Sequence, residues 1–127
     1  MSIKNKIGVF PTSHYIESES NPNVDHYVFG YTITIQNLGS VSATLLTRHW
    51  LITDGNGNTQ EIQGDGVVGK TPLLKPGEQF RYTSAAVLET PVGVMKGNYR
   101  MISENGRHFA ASIPQFKIGR ASCRERV

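Results

Sequence analysis

A glycine-rich segment in the middle of the chain carries the strongest hint of chemistry. Gly64–Gly69 reads G-D-G-V-V-G and matches G-x-G-x-x-G, the pattern with which dinucleotide-binding folds approach a pyrophosphate. Lys70 and Thr71 follow directly, so the segment also satisfies the phosphate-loop pattern G-x-x-x-x-G-K-T. Both motifs need a helix after the glycines, because its N-terminus supplies free amide groups and the positive end of a dipole.

The residues after the motif do not predict such a helix. Pro72 and the turn Lys75-Pro76-Gly77-Glu78 follow, with no amphipathic helical period between them. We therefore favour a bulged loop between strands, in which glycines take backbone angles that other residues avoid. Binding of a nucleotide, a pyrophosphate or a divalent cation is the alternative, and its candidate residues are Gly64, Asp65, Gly66, Gly69 and Lys70.

No other residues form a recognisable catalytic or metal-binding motif. The four histidines, at positions 14, 26, 49 and 108, have no H-x-x-x-H spacing, and D-G-N-G-N from Asp54 lacks the rest of an EF-hand loop. Asp54, Glu61 and Asp65 could serve a hard cation, but three carboxylates near loops are common by chance. There is no G-x-S-x-G nucleophile motif, and the single cysteine is Cys123, near the C-terminus. We expect a protein that is not an enzyme, with no cofactor and no dedicated metal site.

Composition indicates one ordinary globular domain. The chain has 127 residues, of which 38% are hydrophobic and 18% charged. No apolar run approaches the roughly 20 residues of a membrane span, and the N-terminus lacks the apolar region of a signal peptide. A lone cysteine cannot form an internal disulfide, which agrees with a reducing compartment. These observations predict a cytoplasmic protein without membrane insertion.

The last nine residues change character abruptly. Residues 119–127 follow no strand pattern and carry three basic residues and one acidic residue. Without them the net charge falls from +3 to +1, so the compositional support for nucleic-acid binding is lost. We interpret residues 1–118 as a single domain and residues 119–127 as a tail, which a vector-derived or read-through end would explain.

Alternating hydrophobicity predicts the longest strands. Between His26 and Asn37 one face is consistently apolar and carries Tyr27, Phe29, Tyr31, Ile33 and Ile35. Val41 to Thr53 is apolar on both faces, which is typical of a strand near the centre of a sheet. Strict alternation there groups Leu45 with Leu51, and Leu46 with Trp50 and Ile52.

Turn signals divide the rest of the chain into short strands. Asp54-Gly55-Asn56-Gly57-Asn58 and Asn105-Gly106 predict tight hairpin turns. The proline at position 11 makes 7–19 an edge strand or two short pieces. Further strands are predicted at 59–63, 79–84, 87–91, 98–103 and 107–113, with a loop or short edge at 92–96. The pattern of seven or eight strands with no helix longer than one turn predicts an all-β antiparallel sandwich.

Several short motifs, in order along nearly the whole chain, resemble the ApaG family of small bacterial proteins. The matching segments are Arg48–Asp54 (R-H-W-L-I-T-D), Gly64–Gly69, Leu74–Gly77 (L-K-P-G), Tyr82–Ser84 (Y-T-S), Thr90–Gly93 (T-P-V-G), Met95–Tyr99 (M-K-G-N-Y) and Ile113–Phe116 (I-P-Q-F). Ala85-Ala86 stands where the family often has glycine, and the tail has no family counterpart. The family's domain also occurs in eukaryotic F-box proteins and in a DNA-polymerase-interacting protein.

The resemblance implies an immunoglobulin-like or fibronectin type III-like sandwich, in agreement with the strand pattern. It also implies an association with cobalt and magnesium efflux or tolerance, and a gene neighbourhood shared with diadenosine tetraphosphate hydrolysis and ribosomal RNA methylation. It supplies no established catalytic residues. We accordingly predict a non-enzymatic interaction module that acts on ion homeostasis through an unidentified protein partner, with a homodimer left open. The alternative is ligand binding at Gly64–Gly69, or, less favoured, hydrolysis of such a ligand.

Overall fold

The computed structural model of the chain describes residues 5–120. Most of these residues lie in eight strands: β1 (Ile7–Tyr15), β2 (Tyr27–Asn37), β3 (Ala43–Asp54), β4 (Thr59–Asp65), β5 (Leu73–Leu74), β6 (Gln79–Leu88), β7 (Val92–Ser103) and β8 (His108–Gly119). Two 3-10 helices of three residues each, Glu17–Glu19 and Pro22–Val24, lie between β1 and β2. Within the described range there is no helix long and apolar enough to cross a membrane.

The strands form two antiparallel sheets that pack face to face. One sheet has the order β1-β2-β6, and the other has the order β4-β3-β7-β8, with β5 also paired to β3. Because β7 pairs with β3 along its whole length, β4 and β5 lie end to end on the opposite side of β3. At the other side of the molecule, β1 lies against β8. The predicted all-β sandwich of immunoglobulin or fibronectin type III type is confirmed.

The core lies between the sheets and is built on the alternation of β2. All five residues predicted for its apolar face are buried, and Phe29, Ile33 and Ile35 are completely so. Burying a side chain of this size stabilises the fold by roughly 1.5–3 kcal/mol. Trp50 of β3 packs edge-on against Tyr31, with 5.3 Å between ring centroids, and joins the two sheets. The β2 pattern therefore fixes both the strand and the position of the core.

Trp50 and Ile52 share a buried face as predicted, but the face predicted for Leu45 is wrong because β3 contains a β-bulge. Its register against β7 shifts between Leu45 and Thr47. One extra residue reverses the alternation, so Leu45 is buried on the same side as Trp50, while Leu51 is only partly buried. A strict period of two cannot anticipate such a change of phase.

Three strands are longer than predicted. β6 is one strand from Gln79 to Leu88 instead of two pieces, and β7 already begins at Val92. β8 continues through Pro114, which lies where the register against β7 shifts between Met95 and Gly97. Proline is tolerated there because β8 is an edge strand with an irregularity at that point. β1 likewise runs unbroken through its proline at the edge of its sheet.

The predicted domain end falls inside the described part of the chain. Gly119 is the last residue of β8 and is buried, and the Arg120 amide donates to the Pro91 carbonyl at 2.9 Å. Residues 121–127, which include Cys123, lie outside the described residues. The boundary after residue 118 stays a prediction.

Asn37 is a buried polar residue that ties three segments together at one end of the sandwich. It is only 1% exposed, and its side-chain amide donates to the carbonyls of Val41 and Leu74 at 2.8 and 2.9 Å. Its side-chain oxygen accepts the Gly39 amide at 2.9 Å. Every hydrogen-bonding group of this side chain therefore has a partner, as a buried amide requires.

Replacing Asn37 by aspartate is expected to destabilise the fold in a pH-dependent way. The carboxylate would face two carbonyl oxygens and lose both donated hydrogen bonds, which costs about 2–4 kcal/mol at neutral pH. Protonation restores one donor, so the loss measured by urea unfolding should shrink as the pH falls towards 4. Asn23→Asp, at an exposed position, is the matched control. A loss that is equal for the two variants, or independent of pH, would contradict the role given to Asn37.

Candidate functional site

The glycine-rich segment is the end of a strand followed by a tight turn. β4 includes Gly64 and Asp65, and the chain then turns at residues 67–70. The amide of Val67 donates to the Lys70 carbonyl at 2.8 Å, and the amide of Lys70 donates back to Val67 at 2.9 Å. The two central residues have positive φ, 44° at Val68 and 79° at Gly69. This is the backbone of a type I′ turn.

Packing or backbone conformation explains why glycine occupies each of the three glycine positions of the motif. A Cβ on Gly64 would lie 2.8–3.0 Å from the Arg48 guanidinium, which covers this position. Gly66 has a φ of +64°, and a Cβ there would collide with the Lys70 carbonyl oxygen. Gly69 occupies a left-handed position of the turn. The match to G-x-G-x-x-G is therefore accounted for by turn geometry and close packing.

The amide groups of the segment are largely used inside the chain. Besides the amides of Val67 and Lys70, the Gly66 amide donates to the Leu46 carbonyl at 2.8 Å. The segment leads into β5, and not into the helix that phosphate-binding motifs place after their glycines. The geometry is that of the predicted loop, and it offers a phosphate neither a helix N-terminus nor these three amides.

Arg48 is the residue that holds the segment in place. One guanidinium nitrogen, Nη1, donates to the carbonyls of Asp65 and Gly66 at 3.1 and 2.9 Å. Arg48 pairs with Tyr99 in the sheet, and Tyr99 is completely buried, so the arginine side chain points towards the core side of the sheet. The sequence did contain a signal for this, because Arg48 is two residues before the buried Trp50.

Two buried tyrosines beside Arg48 connect the sheets. The hydroxyls of Tyr82 on β6 and Tyr99 on β7 share a hydrogen bond of 2.5 Å. Burial raises the pKa of Tyr82 to about 12, although the hydrogen bond with Tyr99 and the Arg48 charge favour the anion. Burial also raises the pKa of Tyr99 far above its ordinary value. Both hydroxyls are therefore neutral hydrogen-bonding groups at neutral pH.

The outer face of the five-stranded sheet has a polar depression next to β4. Its volume is about 440 Å³, and it is lined by Thr47, Arg48, His49, Gln63, Gly64, Asp65, Asn98 and Arg100. Of the residues proposed from the sequence, Gly64 and Asp65 line this depression, whereas Gly66, Gly69 and Lys70 do not. Sequence reasoning missed Asn98 and Arg100, because only the pairing of β3 with β7 brings them to the same face as β4, on the other side of β3.

A histidine–carboxylate pair lies on the same face. His49 Nε2 donates to Glu61 Oε2 at 2.6 Å, and the Gln63 amide donates to the same oxygen at 3.0 Å. The hydrogen bond from His49, followed by that from Gln63, lowers the pKa of Glu61 below its ordinary value. His49 is thus satisfied by a cross-strand partner.

The carboxylates proposed as a cation alternative do not meet. Asp54 uses Oδ1 to accept the amides of Asn56 and Asn58 within the hairpin turn, while Glu61 is bonded to His49. In the stretch from residue 5 to residue 120, no group of three or more histidines, cysteines and carboxylates could hold a metal ion.

Gly66→Ala is expected to destabilise the fold more than Gly57→Ala. Both glycines have positive φ, so left-handed backbone strain lowers the free energy of unfolding of both variants by about 1–2 kcal/mol. Gly57 has no atom within 4 Å of an added Cβ, whereas Gly66 has the Lys70 carbonyl. The additional loss at Gly66, measured by urea unfolding, should exceed about 1 kcal/mol. Equal losses would show that the turn adapts and that Gly66 is not needed for close packing.

Tyr82→Phe is expected to weaken the dependence of stability on alkaline pH. In the unfolded chain the pKa of Tyr82 is near the ordinary tyrosine value of 10.0, whereas in the folded domain it is about 12. The stability of the parent therefore falls as the pH rises through that window, and removing Tyr82 should reduce the slope. Tyr15→Phe is the control, because the Tyr15 hydroxyl makes no hydrogen bond to the described residues. Parallel stability curves for all three proteins would contradict this account.

Fold and site together define a class: an immunoglobulin-like or fibronectin type III-like sandwich whose glycine motif is a structural turn. The ApaG domain matches residues 17–103. Protein ApaG of Dechloromonas aromatica is 55% identical to this chain over 115 residues, which cover 91% of each chain. Protein ApaG of Escherichia coli is 55% identical over 106 residues, which cover 84% of this chain and 85% of the relative. A crystal structure of a Bordetella pertussis protein named ApaA superposes with a TM-score of 0.92 at 43% identity, covering 94% of this chain and 98% of the other. The chain belongs to the ApaG family.

Proposed function

We propose that this domain is a non-catalytic protein-interaction module that binds its partner along the β4–β5 edge, defined as residues 59–74. The observation that carries the proposal is the open edge of the five-stranded sheet. β4 and β5 pair with β3 on one side, and within residues 5–120 neither pairs with a strand on the other. An open edge exposes backbone donors and acceptors, to which an extended peptide can add as a further strand.

Exposed apolar side chains accompany this edge. Ile62 on β4 is 39% exposed, Val68 in the turn 54%, and Leu73 on β5 55%. In strand addition, backbone hydrogen bonds supply affinity, and side chains along the edge supply specificity. Three apolar anchors beside free backbone groups suit a partner segment that is extended and apolar.

Val68 is the most informative of these residues. A β-branched side chain at a φ of 44° costs roughly 1–3 kcal/mol of strain, and glycine would avoid it. Since Val68 is exposed, its side chain does not recover that cost in the core. Strain that folding does not require supports a role for this side chain in contacts outside the domain.

The proposed link to cobalt and magnesium homeostasis comes from the family resemblance and runs through the partner. Hard cations prefer sets of oxygen ligands, whereas the β4–β5 edge presents backbone groups and apolar side chains that suit a peptide. We place the module in the cytoplasm, which agrees with the single cysteine. The competing proposal, a nucleotide or pyrophosphate at Gly64–Gly69, has no helix N-terminus to support it.

The experiment compares Val68→Gly with Val24→Gly in quantitative capture of bacterial proteins by the immobilised domain. Val68→Gly removes the exposed side chain, while relief of left-handed strain offsets the added chain freedom, so stability should stay within about 1 kcal/mol of the parent. Val24 is 67% exposed and lies in a 3-10 helix, where it lines a depression with Gln60, at the opposite end of β4 from Val68. We expect the Val68→Gly domain to capture at least tenfold less of a bacterial protein that the parent captures. The Val24→Gly domain should capture as much of that protein as the parent does.

Two results would overturn the proposal. One is capture that is absent or equally affected by the two variants. The other is a specific response in amide NMR titrations with Mg²⁺, Co²⁺, ATP and a dinucleoside polyphosphate. We expect these titrations to be flat to millimolar concentration. Saturable shifts centred on Gly64–Gly69 would instead support the ligand-binding alternative.

A further inference from the structure

The outer face of the five-stranded sheet carries charges in a regular cross-strand pattern. In one row Asp65 on β4, Thr47 on β3 and Arg100 on β7 lie side by side. Two rows further along, Glu61 on β4, Leu51 on β3 and Lys96 on β7 do the same. The middle row is Gln63, His49 and Asn98. β4 is thus the acidic side of this face and β7 the basic side.

These charges are exposed and mostly unpaired. All four ionic side chains at the ends of the rows are exposed: Glu61, Asp65, Lys96 and Arg100. Among residues 5–120, neither Lys96, Arg100 nor Asp65 has an ion-pair partner. β4 and β7 are separated by β3, about 9–10 Å at the usual strand spacing, so the acidic and basic sides cannot neutralise each other directly. Glu61 pairs with His49 on β3, and among the described residues no ion pair links the acidic side to the basic side.

We propose that this face, from β4 across β3 to β7, is a homodimer interface. A two-fold axis parallel to β3 places β4 of one copy over β7 of the other, with the rows in register. Asp65 of each copy then faces Arg100 of the other, and Glu61 faces Lys96. The alternative axis, perpendicular to the strands, would place acidic side on acidic side. Charge complementarity therefore selects both the occupant, a second copy, and its orientation.

The centre of the face suits such close approach. β3 presents Thr47, His49 and Leu51 along the axis, and all three are partly buried already. The polar depression of about 440 Å³ lies over the first two rows and would be covered by the second copy. Bidentate and charge-assisted contacts at its rim would give register more than affinity.

The area limits the strength of the dimer. Three to four strands of about seven paired residues cover roughly 400 Å² per copy, about half of a standard interface. The expected dissociation constant is on the order of 100 µM, and it should rise several-fold between low and high salt because the ion pairs at the rim are screened.

The test uses sedimentation of the full chain and two charge-reversed variants. Glu61→Lys with Asp65→Lys makes both sides basic, and Lys96→Glu with Arg100→Glu makes both sides acidic. Each variant alone should lose self-association by more than tenfold, whereas a mixture of the two should form a heterodimer. Circular dichroism and thermal unfolding check that both remain folded.

A matched control reverses two charges on other surfaces. Lys75→Glu with Arg81→Glu has the same net charge as the all-acidic variant, and both positions are exposed. It should associate like the parent. The proposal is overturned if the parent is monomeric at millimolar concentration, if the control loses association as strongly as the interface variants, or if the mixture does not form a heterodimer.

Discussion

Two hydrogen bonds from one arginine determine the shape of the middle of this domain. By donating to the carbonyls of Asp65 and Gly66, Arg48 fixes the point at which β4 ends. The guanidinium occupies the space above Gly64, so a side chain at that position would have to displace it. The chain must then reverse within four residues, which places Gly66 and Gly69 in left-handed conformations and returns the chain to β3 as β5. A charge placed near the core is costly unless it is hydrogen-bonded, and these carbonyls meet that requirement.

The sequence predicted those parts of the structure in which the local residue pattern agrees with the tertiary packing. Where local pattern and tertiary packing agree, as in β2 and at the two Asn-Gly turns, elements and faces followed directly from residue types. In β3 the local pattern and the packing disagree, because the bulge after Leu45 changes the phase of alternation. No proline or glycine at that point indicates the bulge in the sequence. The merged strands β6 and β7 were divided at weak local signals that cross-strand pairing overrides.

Only part of the candidate site could be predicted from the sequence. The glycine motif located an unusual segment, since glycines cluster where the backbone needs special angles or close approach, but the same residue type serves phosphates and turns equally. The two uses are distinguished by the groups that accept hydrogen bonds from the amides of the segment. One of these acceptors is the Leu46 carbonyl, which lies outside any linear motif. Asn98 and Arg100 joined the site through strand pairing across about fifty residues of sequence, which no local pattern contains.

The two surfaces differ in the kind of partner that their physics allows. The β4–β5 edge offers unpaired backbone groups with a strained, exposed Val68, and such an edge recognises any extended chain of suitable apolarity. The outer face offers fixed charges in register and little apolar area, so it discriminates by pattern and binds weakly. A second copy of the chain carries that pattern in complementary form by symmetry, whereas an unrelated protein would have to acquire it. Because β4 belongs to both surfaces, a dimer would leave its edge open while restricting the approach of a bulky partner from the outer side.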